Sequence, residues 1–367
     1  MSDIERPSET EPFLGRVRLV DVATRSGVTK SIASRILNND LTLSVRLDTR
    51  QRVVKAARDL GYRPHAGARA LARSEARALA LLIPDLSNPV YSRIVRGAYR
   101  QAQRRGYVVL LAEDTEENDV DEAFIELVES GRVDGLLIAS ARPEHPFLSS
   151  PRLAHIPHVF VNREMSGSGR NVLMDLAAAS TCAVNYLFEL GHRHIGQVSG
   201  PFDLGPAKAR EEGFRLAARS LGIDATLIQR DAFTEKGGSE AIQRLLRLHP
   251  EMTAVCTSTL NQAVGALHGA RVLGRHIPED LSIITYDDLP LADYLDPPLS
   301  TVAMPLIDLG AAAVDAVIDQ LQGRAPKDVV VPTIPQIVER HSTRPIDRVV
   351  EVFAFTEVNS FNETTPH

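Results

Sequence analysis

From Ala78 onward the sequence alternates between short apolar runs and longer stretches with helical spacing, and that alternation constrains the fold more than any other feature. Leu79–Ile83, Val108–Ala112, Gly135–Ala139 and His158–Val161 lack polar alternation, so each predicts a strand buried on both faces of a parallel sheet. Helices predicted at 91–105, 119–130 and 176–190 alternate with these runs. A second series follows: strands at Ile195–Ser199, Thr226–Gln229, Ala254–Thr257 and Ser282–Tyr286, with helices at 207–221, 236–248 and 261–273. Two βαβ series predict two α/β lobes, each a mostly parallel sheet covered by helices on both faces. A helix over 305–322 and strands within 329–340 close the pair.

The segment before this body is of another kind. Residues 18–38 read as two short helices around a tight turn. Leu19 or Val20, Val22, Ala23, Ile32, Ala33, Ile36 and Leu37 supply a miniature core, with Gly27 as the stop and Thr29 as the cap of the second helix. Lys30, Ser31, Ser34, Arg35 and Asn38 share the other side of that second helix. This is the layout of a helix entering the major groove, with side chains toward base edges and phosphates. A third helix is predicted from Asp48 to Leu60, capped by Asp48 or Thr49 and stopped by Gly61, with Val53, Ala57 and Leu60 inward. His65–Arg73 makes a marginal helix, too short to hold alone and weakened by Gly67, of the kind that folds only when DNA or a partner subunit supports it.

Charge separates the two parts. Residues 14–77 carry fourteen Lys and Arg against five Asp and Glu, while the whole chain has a formal charge of −6, so the remainder is acidic. A basic head on an acidic body suits a polyanion at one end only; the alternative at this level is an Arg-rich solvated face. No run of 18 apolar residues offers a membrane span, and Met1–Pro12 is polar and acidic, unlike a secretory leader. Cys182 and Cys256 are the only cysteines and stand outside any metal-ligand spacing, which fits a reduced, cytoplasmic setting.

Taken together, Asp21-Val-Ala, Ser26-Gly-Val-Thr29, Ser34-Arg-Ile-Leu-Asn38, Thr49-Arg50, Gly61-Tyr-Arg-Pro64 and Ala68-Arg-Ala-Leu-Ala72 resemble the LacI/GalR repressor family. In the body, Ile83–Pro89, Val133–Leu137, Glu189–Ile195, Tyr286–Pro290 and Leu295–Val302 resemble the same family and its relatives, the periplasmic sugar-binding proteins. The resemblance covers about 16–343. It implies an all-α helix-turn-helix head with a hinge helix, followed by a two-lobed α/β domain like the periplasmic binding proteins. The expected segments are a disordered tail (1–15), the DNA-binding head (16–63), a hinge helix and linker (64–77), the effector-binding and dimerisation domain (78–343) and a C-terminal tail (344–367). It also implies chain crossings between the lobes near 162, 290 and 325.

The implied activity is that of a cytoplasmic, homodimeric transcriptional repressor on double-stranded operator DNA, tuned by a small-molecule effector such as a sugar, with no cofactor, metal or catalytic residue. Thr29, Lys30, Ser31, Ser34, Arg35 and Asn38 would contact DNA, Arg50 a phosphate, and Leu71 would wedge into the minor groove from the hinge helix, where unstacking a base step bends the duplex. In the cleft, the resemblance assigns effector contacts to Tyr91, Asn162, Arg210, Phe233 and Asp287. Three departures stand out. Ala72 replaces a basic residue that some relatives place after the leucine, Thr259-Leu260 replaces a common Asn-Asp, and Val90 replaces an aromatic. The last two put a common-sugar effector in question. A regulator answering to a partner protein, and a solute-binding protein, are the alternatives. Enzyme readings find no G-x-G-x-x-G opening the first βα unit, no G-x-S-x-G elbow, and only the His192/His194 pair without a third ligand.

Overall fold

The computed structural model describes residues 17–40, 42–62, 75–114, 122–139, 153–332 and 334–346. The tail expected at 1–15, the hinge-helix core with Leu71, and everything after Ile346 lie outside the described residues. Two compact units result. One contains the residues up to Ala78 together with Leu127–Asp134; the other contains Leu79–Glu126 and the chain from Gly135 on.

In the head, α1 (Leu19–Ser26), α2 (Lys30–Leu37) and α3 (Leu47–Asp59) enclose Val22, Ala23, Ala33, Ile36, Val53, Ala56 and Ala57. Leu19 packs against this core, whereas Val20 faces outward. Gly27 takes the left-handed conformation that ends α1, and Thr29 caps α2 by accepting from the Ile32 N–H at 3.3 Å. Contrary to expectation, neither Asp48 nor Thr49 caps α3. The helix starts earlier, with Arg46 at the N-cap and no side-chain cap, and Asp48 instead pairs with Arg52 at 3.6 Å within the first turn. Residues 75–77, at the end of the expected hinge and linker, carry no regular structure.

The body holds two six-stranded sheets, ordered β11-β5-β4-β3-β1-β2 and β12-β10-β9-β8-β6-β7. The first comprises β1 (Ala78–Ile83), β2 (Val108–Glu113), β3 (Gly135–Ile138), β4 (His158–Val161), β5 (Asn171–Leu173) and β11 (Val329–Val330). The second comprises β6 (Ile195–Ser199), β7 (Ile228–Arg230), β8 (Ala254–Thr257), β9 (Ser282–Tyr286), β10 (Ser300–Ala303) and β12 (Gln336–Val338). Pairings β1–β3, β3–β4, β4–β5, β6–β8 and β8–β9 are parallel; β10–β12 is antiparallel. Read from β2 and from β7, the two sheets share one order, 2-1-3-4-5, with a reversal of winding beside β1 and β6. At such a reversal the strand ends leave a crevice.

The helices are α4 (Pro89–Arg104), α5 (Glu122–Glu129), α6 (Leu176–Glu189), α7 (Gly205–Leu221), α8 (Glu235–Leu248), α9 (Leu260–Val272) and α10 (Leu306–Leu321). α4 packs on α10, α6 on α7, and α8 on α9. The α4–α10 crossing is close enough that a Cβ on Gly97 would overlap the Ile307 carbonyl, and one on Gly310 the Ile94 carbonyl.

β5 and β10 were not legible from the sequence, and they move the crossings between lobes. After β4 the chain does not leave the first lobe at 162. It turns and adds β5, and passes to the second lobe only between Leu173 and Leu176. It returns between Ala303 and Leu306, not near 290, because β10 first completes the second sheet. The last passage lies between β11 and β12. The body also runs past 343: Ile346 N–H donates to the Leu190 carbonyl at 2.9 Å and Arg344 N–H to Ser282 Oγ at 3.1 Å.

Candidate functional site

The strand ends of both sheets meet at a cavity of about 180 Å³. The first lobe supplies Pro84, Asp85, Asn88, Val90 and Tyr91 after β1, and Asn162 after β4. The second supplies Leu204, Pro206 and Arg210 from α7 and the loop before it, Phe233 and Thr234 after β7, Thr259 after β8 and Asp287 after β9. All five side chains assigned to the cleft from the sequence therefore line one cavity. So do Val90 and Thr259, two of the positions where this chain departs from its relatives. Leu260 does not; it is buried in the second lobe's core.

Asn162 and Asp287 share an unusual backbone. Both follow a strand directly and both have positive φ, 55° and 69°, a left-handed conformation that costs a non-glycine residue about 1–3 kcal/mol. The short strands explain how it is held. Asn162 N–H donates to the Val172 carbonyl of β5 at 3.0 Å, and Asp287 N–H to the Val302 carbonyl of β10 at 2.9 Å. Each unforeseen strand thus fixes one cleft residue.

The cavity's polar groups are buried and largely unsatisfied. Asp287 is fully buried, and neither carboxylate oxygen accepts a hydrogen bond among the described residues. Its ion-pair partner among the described residues is Arg210, Nη2 to Oδ2 3.7 Å. Burial pushes the Asp287 carboxyl above the usual carboxylate range, against the opposing pull of Arg210. Arg210 Nε and Asn162 Oδ1 are likewise buried without partners among the described residues. Leaving a buried polar group unpaired costs about 1–3 kcal/mol, more when it is charged, so these atoms are arranged for something else to satisfy. Arg210 itself is rigidly placed. Its guanidinium lies over the Tyr286 ring (5.0 Å to the centroid), the Tyr286 hydroxyl donates to Ser180 Oγ at 2.8 Å, and that hydroxyl donates to the Arg210 carbonyl at 2.7 Å.

The walls are apolar. Phe233 lies so tightly on Gly200 that any side chain there would enter its ring. Burial pushes the Tyr91 phenol up, Arg210 opposes it, and Asp85 and Asp287 add to it, so the hydroxyl stays protonated and can donate. Asn88, Thr234 and Thr259 line the same cavity while capping α4, α8 and α9, accepting from Val90, Gly237 and Gln262 N–H at 3.1, 3.1 and 3.2 Å. The caps consume those N–H donors, yet the positive helix ends still face the cavity. The sequence reading singled out Thr259 only as a departure and missed Asn88 and Thr234, although each stands at the cap position before a helical run. Among the described residues no group of three or more His, Cys, Asp or Glu could hold a metal. His192 is instead a clasp, with Nε2–H donating to the Arg344 carbonyl (3.1 Å) and Nδ1 accepting from the Thr253 hydroxyl (3.0 Å).

In the head, Lys30 and Ser31 are exposed on the first turn of α2, and Ser34 lies one turn on, accepting from Asn38 Nδ2 at 3.4 Å. Arg50 sits half-buried in the first turn of α3. Arg35 is held within the chain, Nε donating to Asp40 Oδ2 at 2.6 Å and Nη2 to Thr42 Oγ1 at 2.9 Å. The sequence alone did not suggest that tether.

Comparisons with known proteins agree on both parts. Residues 18–65 match the bacterial regulatory proteins of the lacI family, and residues 184–343 a periplasmic binding protein-like domain. The chain is 37% identical over 309 residues to the HTH-type transcriptional repressor CytR of Escherichia coli, covering 83% of this chain and 89% of that protein. It is 30% identical over 327 residues to the ribose operon repressor of Escherichia coli, covering 88% and 98%. Among solved structures, a LacI family regulator from Enterococcus faecium with bound ribose superposes with a TM-score of 0.63 at 27% identity, over 73% of this chain and 99% of that one.

Proposed function

Because the chain belongs to the LacI family of bacterial regulatory proteins, which regulate transcription by binding DNA, we propose that it is a homodimeric repressor whose grip on operator DNA changes when a small polyhydroxylated effector fills the cleft. The observation that carries this reading is the convergence of three buried, unsatisfied groups on one small cavity. These are the Asp287 carboxylate, Arg210 Nε and Asn162 Oδ1. Two free carboxylate oxygens accept from two neighbouring hydroxyls, Arg210 donates to a hydroxyl or ring oxygen, and the faces of Phe233 and Tyr91 cover the apolar side of a ring. The cavity of about 180 Å³ adjoins a second of about 480 Å³ that shares Tyr91, Asn162 and Pro206, so the cleft has room for a sugar ring with a substituent on it. The named relatives point to ribose and its derivatives as the compounds to try first.

On the DNA side, α2 enters the major groove with Lys30, Ser31, Ser34, Arg35 and Asn38 facing the duplex, Thr29 beside them at its cap, and Arg50 meets a phosphate. Leu71 wedges from the hinge into the minor groove. A single head of this size buries too little DNA for tight binding, so two copies reading a near-palindrome are required. No helix among the described residues is long and apolar enough to cross a membrane; the cytoplasmic location is part of the proposal, because the family's regulators bind DNA.

The test is thermal unfolding of the full-length protein with ribose, ribonucleosides and hexoses. A ligand at 100 times its Kd stabilises by about 2.7 kcal/mol, which shows as a shift of several degrees for the body. The active compound is then titrated against protein bound to a duplex selected from a random pool. A compound that shifts unfolding and changes DNA affinity, with both effects lost in Asp287→Ala, is the expected result. If no sugar or nucleoside does either, the effector reading fails and control by a partner protein replaces it.

A further inference from the structure

We propose that Asp40 is a positioning residue for sequence reading, holding the Arg35 guanidinium so that one edge alone is offered to DNA. The inference rests on the reading of Arg35 as a base contact and adds a residue that no motif supplied.

The backbone puts the two side chains together. Past the end of α2, Asn39 adopts a left-handed conformation with φ 54°, its N–H donating to the Ile36 carbonyl at 3.1 Å, while Asp40 N–H donates to the Arg35 carbonyl at 3.0 Å. This is the double bond pattern of a Schellman stop, which brings the residue two past the cap against the third residue from the helix end. Those positions usually carry an apolar pair. Here they are Asp40 and Arg35, and the contact is an ion pair. Thr42 completes the clamp. Its N–H and hydroxyl both donate to Asp40 Oδ1, at 2.8 and 2.7 Å, and its hydroxyl oxygen accepts from Arg35 Nη2. Both carboxylate oxygens are thereby used, and the Thr42 and Arg35 bonds hold the Asp40 carboxyl down at about 2, charged at any working pH.

The chemistry follows from the shape of guanidinium. Its Nε–Nη2 edge is occupied by Asp40 and Thr42, whereas nothing among the described residues accepts from Nη1. The remaining Nη1–Nη2 edge is a two-pronged donor fixed in direction, the geometry that matches guanine O6 and N7. The pairing also cancels charge. An arginine neutralised by Asp40 gains little from phosphates at large, so its contribution depends on meeting the right base. Asp40 trades general grip for discrimination.

The experiment exposes the full-length protein and its variants to a duplex pool with a randomised core. Enriched sequences are read out, and affinity for an enriched duplex and a scrambled one is then measured over a salt series. Wild type should enrich a motif, and Arg35→Ala should lose it at one or more positions. Asp40→Ala should cut the preference for the enriched duplex about tenfold. It should also bind the scrambled duplex more tightly, with a salt slope steeper by about one, because the released Arg35 becomes a phosphate contact. Thr42→Val should lose part of the preference with the slope unchanged, since no charge is removed. Thermal unfolding reports whether the head stays folded; should Asp40→Ala unfold it, Asp40→Asn, which keeps an acceptor for Thr42, takes its place. If Arg35→Ala loses the motif while the Asp40 and Thr42 variants keep full preference and slope, Arg35 reads unaided and this proposal alone falls. If Arg35→Ala keeps the motif, the base-contact reading falls and takes the proposal with it.

Discussion

Asp287 is a carboxyl group placed where burial opposes its charge, with an arginine at 3.7 Å and, among the described residues, no hydrogen bond to either oxygen. An effector whose hydroxyls donate to the carboxylate binds its ionised form, so binding must lower the raised Asp287 pKa. Affinity should therefore strengthen as pH rises through that pKa and weaken on acidification. The pH profile of effector affinity, followed by calorimetry, checks this: Asp287→Asn should bind weakly and without the acid limb, and a wild-type affinity flat down to about pH 4 would contradict it. Arg210→Ala removes both the counter-charge and the donor, and should abolish the effector response while basal DNA binding persists. Tyr91, Asn162, Arg210, Phe233 and Asp287 were legible through the family resemblance, and all five line one cavity. What was hidden was their backbone: Asn and Asp take a positive φ more readily than other non-glycine residues, but at Asn162 and Asp287 the conformation is held by neighbours brought in from elsewhere.

Among elements, the apolar strands declared themselves, whereas β5 and β10 did not. β1, β3, β4, β6, β8 and β9 are buried along their whole length and read as unbroken apolar or near-apolar runs. β10 is Ser-Thr-Val-Ala, and its buried hydroxyls serve as hydrogen-bonding groups. Ser300 Oγ meets Thr343 Oγ1 at 2.8 Å, and Ser300 N–H donates to Ser342 Oγ at 2.8 Å. Such a strand exists because of partners more than forty residues away in sequence, which local patterning does not reveal. His192 belongs to the same seam. Burial lowers its pKa from 6.5 to about 4, the carbonyl bond from Arg344 opposes that, and the charges of Arg344 and Arg193 reinforce it. The unfolded chain then binds the proton more readily, so stability is complete above about pH 6.5 and declines as pH falls toward 4, by on the order of 3 kcal/mol. Urea unfolding across that range should show the decline in wild type and a flatter profile in His192→Gln; parallel profiles would remove His192 as its source.

For the whole molecule, effector and DNA must act on each other equally if the proposed control is right. Whatever factor the effector applies to DNA affinity, DNA applies to effector affinity, for a coupling of about 1–3 kcal/mol. Full-length protein titrated with effector in the presence and absence of a selected duplex should return one and the same factor from both directions. Leu71→Ala should weaken DNA binding yet leave effector affinity in free protein unchanged. A factor that differs between the two directions would mean that a further species, such as a change of oligomer, enters the equilibrium.

The crossings of the chain carry a consequence for its synthesis. The first lobe's core joins Leu79, Leu81 and Ile94 to Leu306, Leu309, Val314, Val317 and Val331, so it is built from both ends of the body. A ribosome delivers the early part first. α4 can then pack on β1 and β2, but its contact with α10 waits until the segment from 306 has been made. The second lobe is mostly contiguous from 176 to 303, but β12 and the seam residues 342–346 complete it only after β11, the last strand of the first lobe, has been made. Both lobes therefore wait for the end of the body, and the usual order, in which the N-terminal portion settles while the rest is translated, does not hold here. A chain ending before 306 lacks α10, β11 and β12, so it leaves α4 without its helix partner and each sheet without its last edge strand.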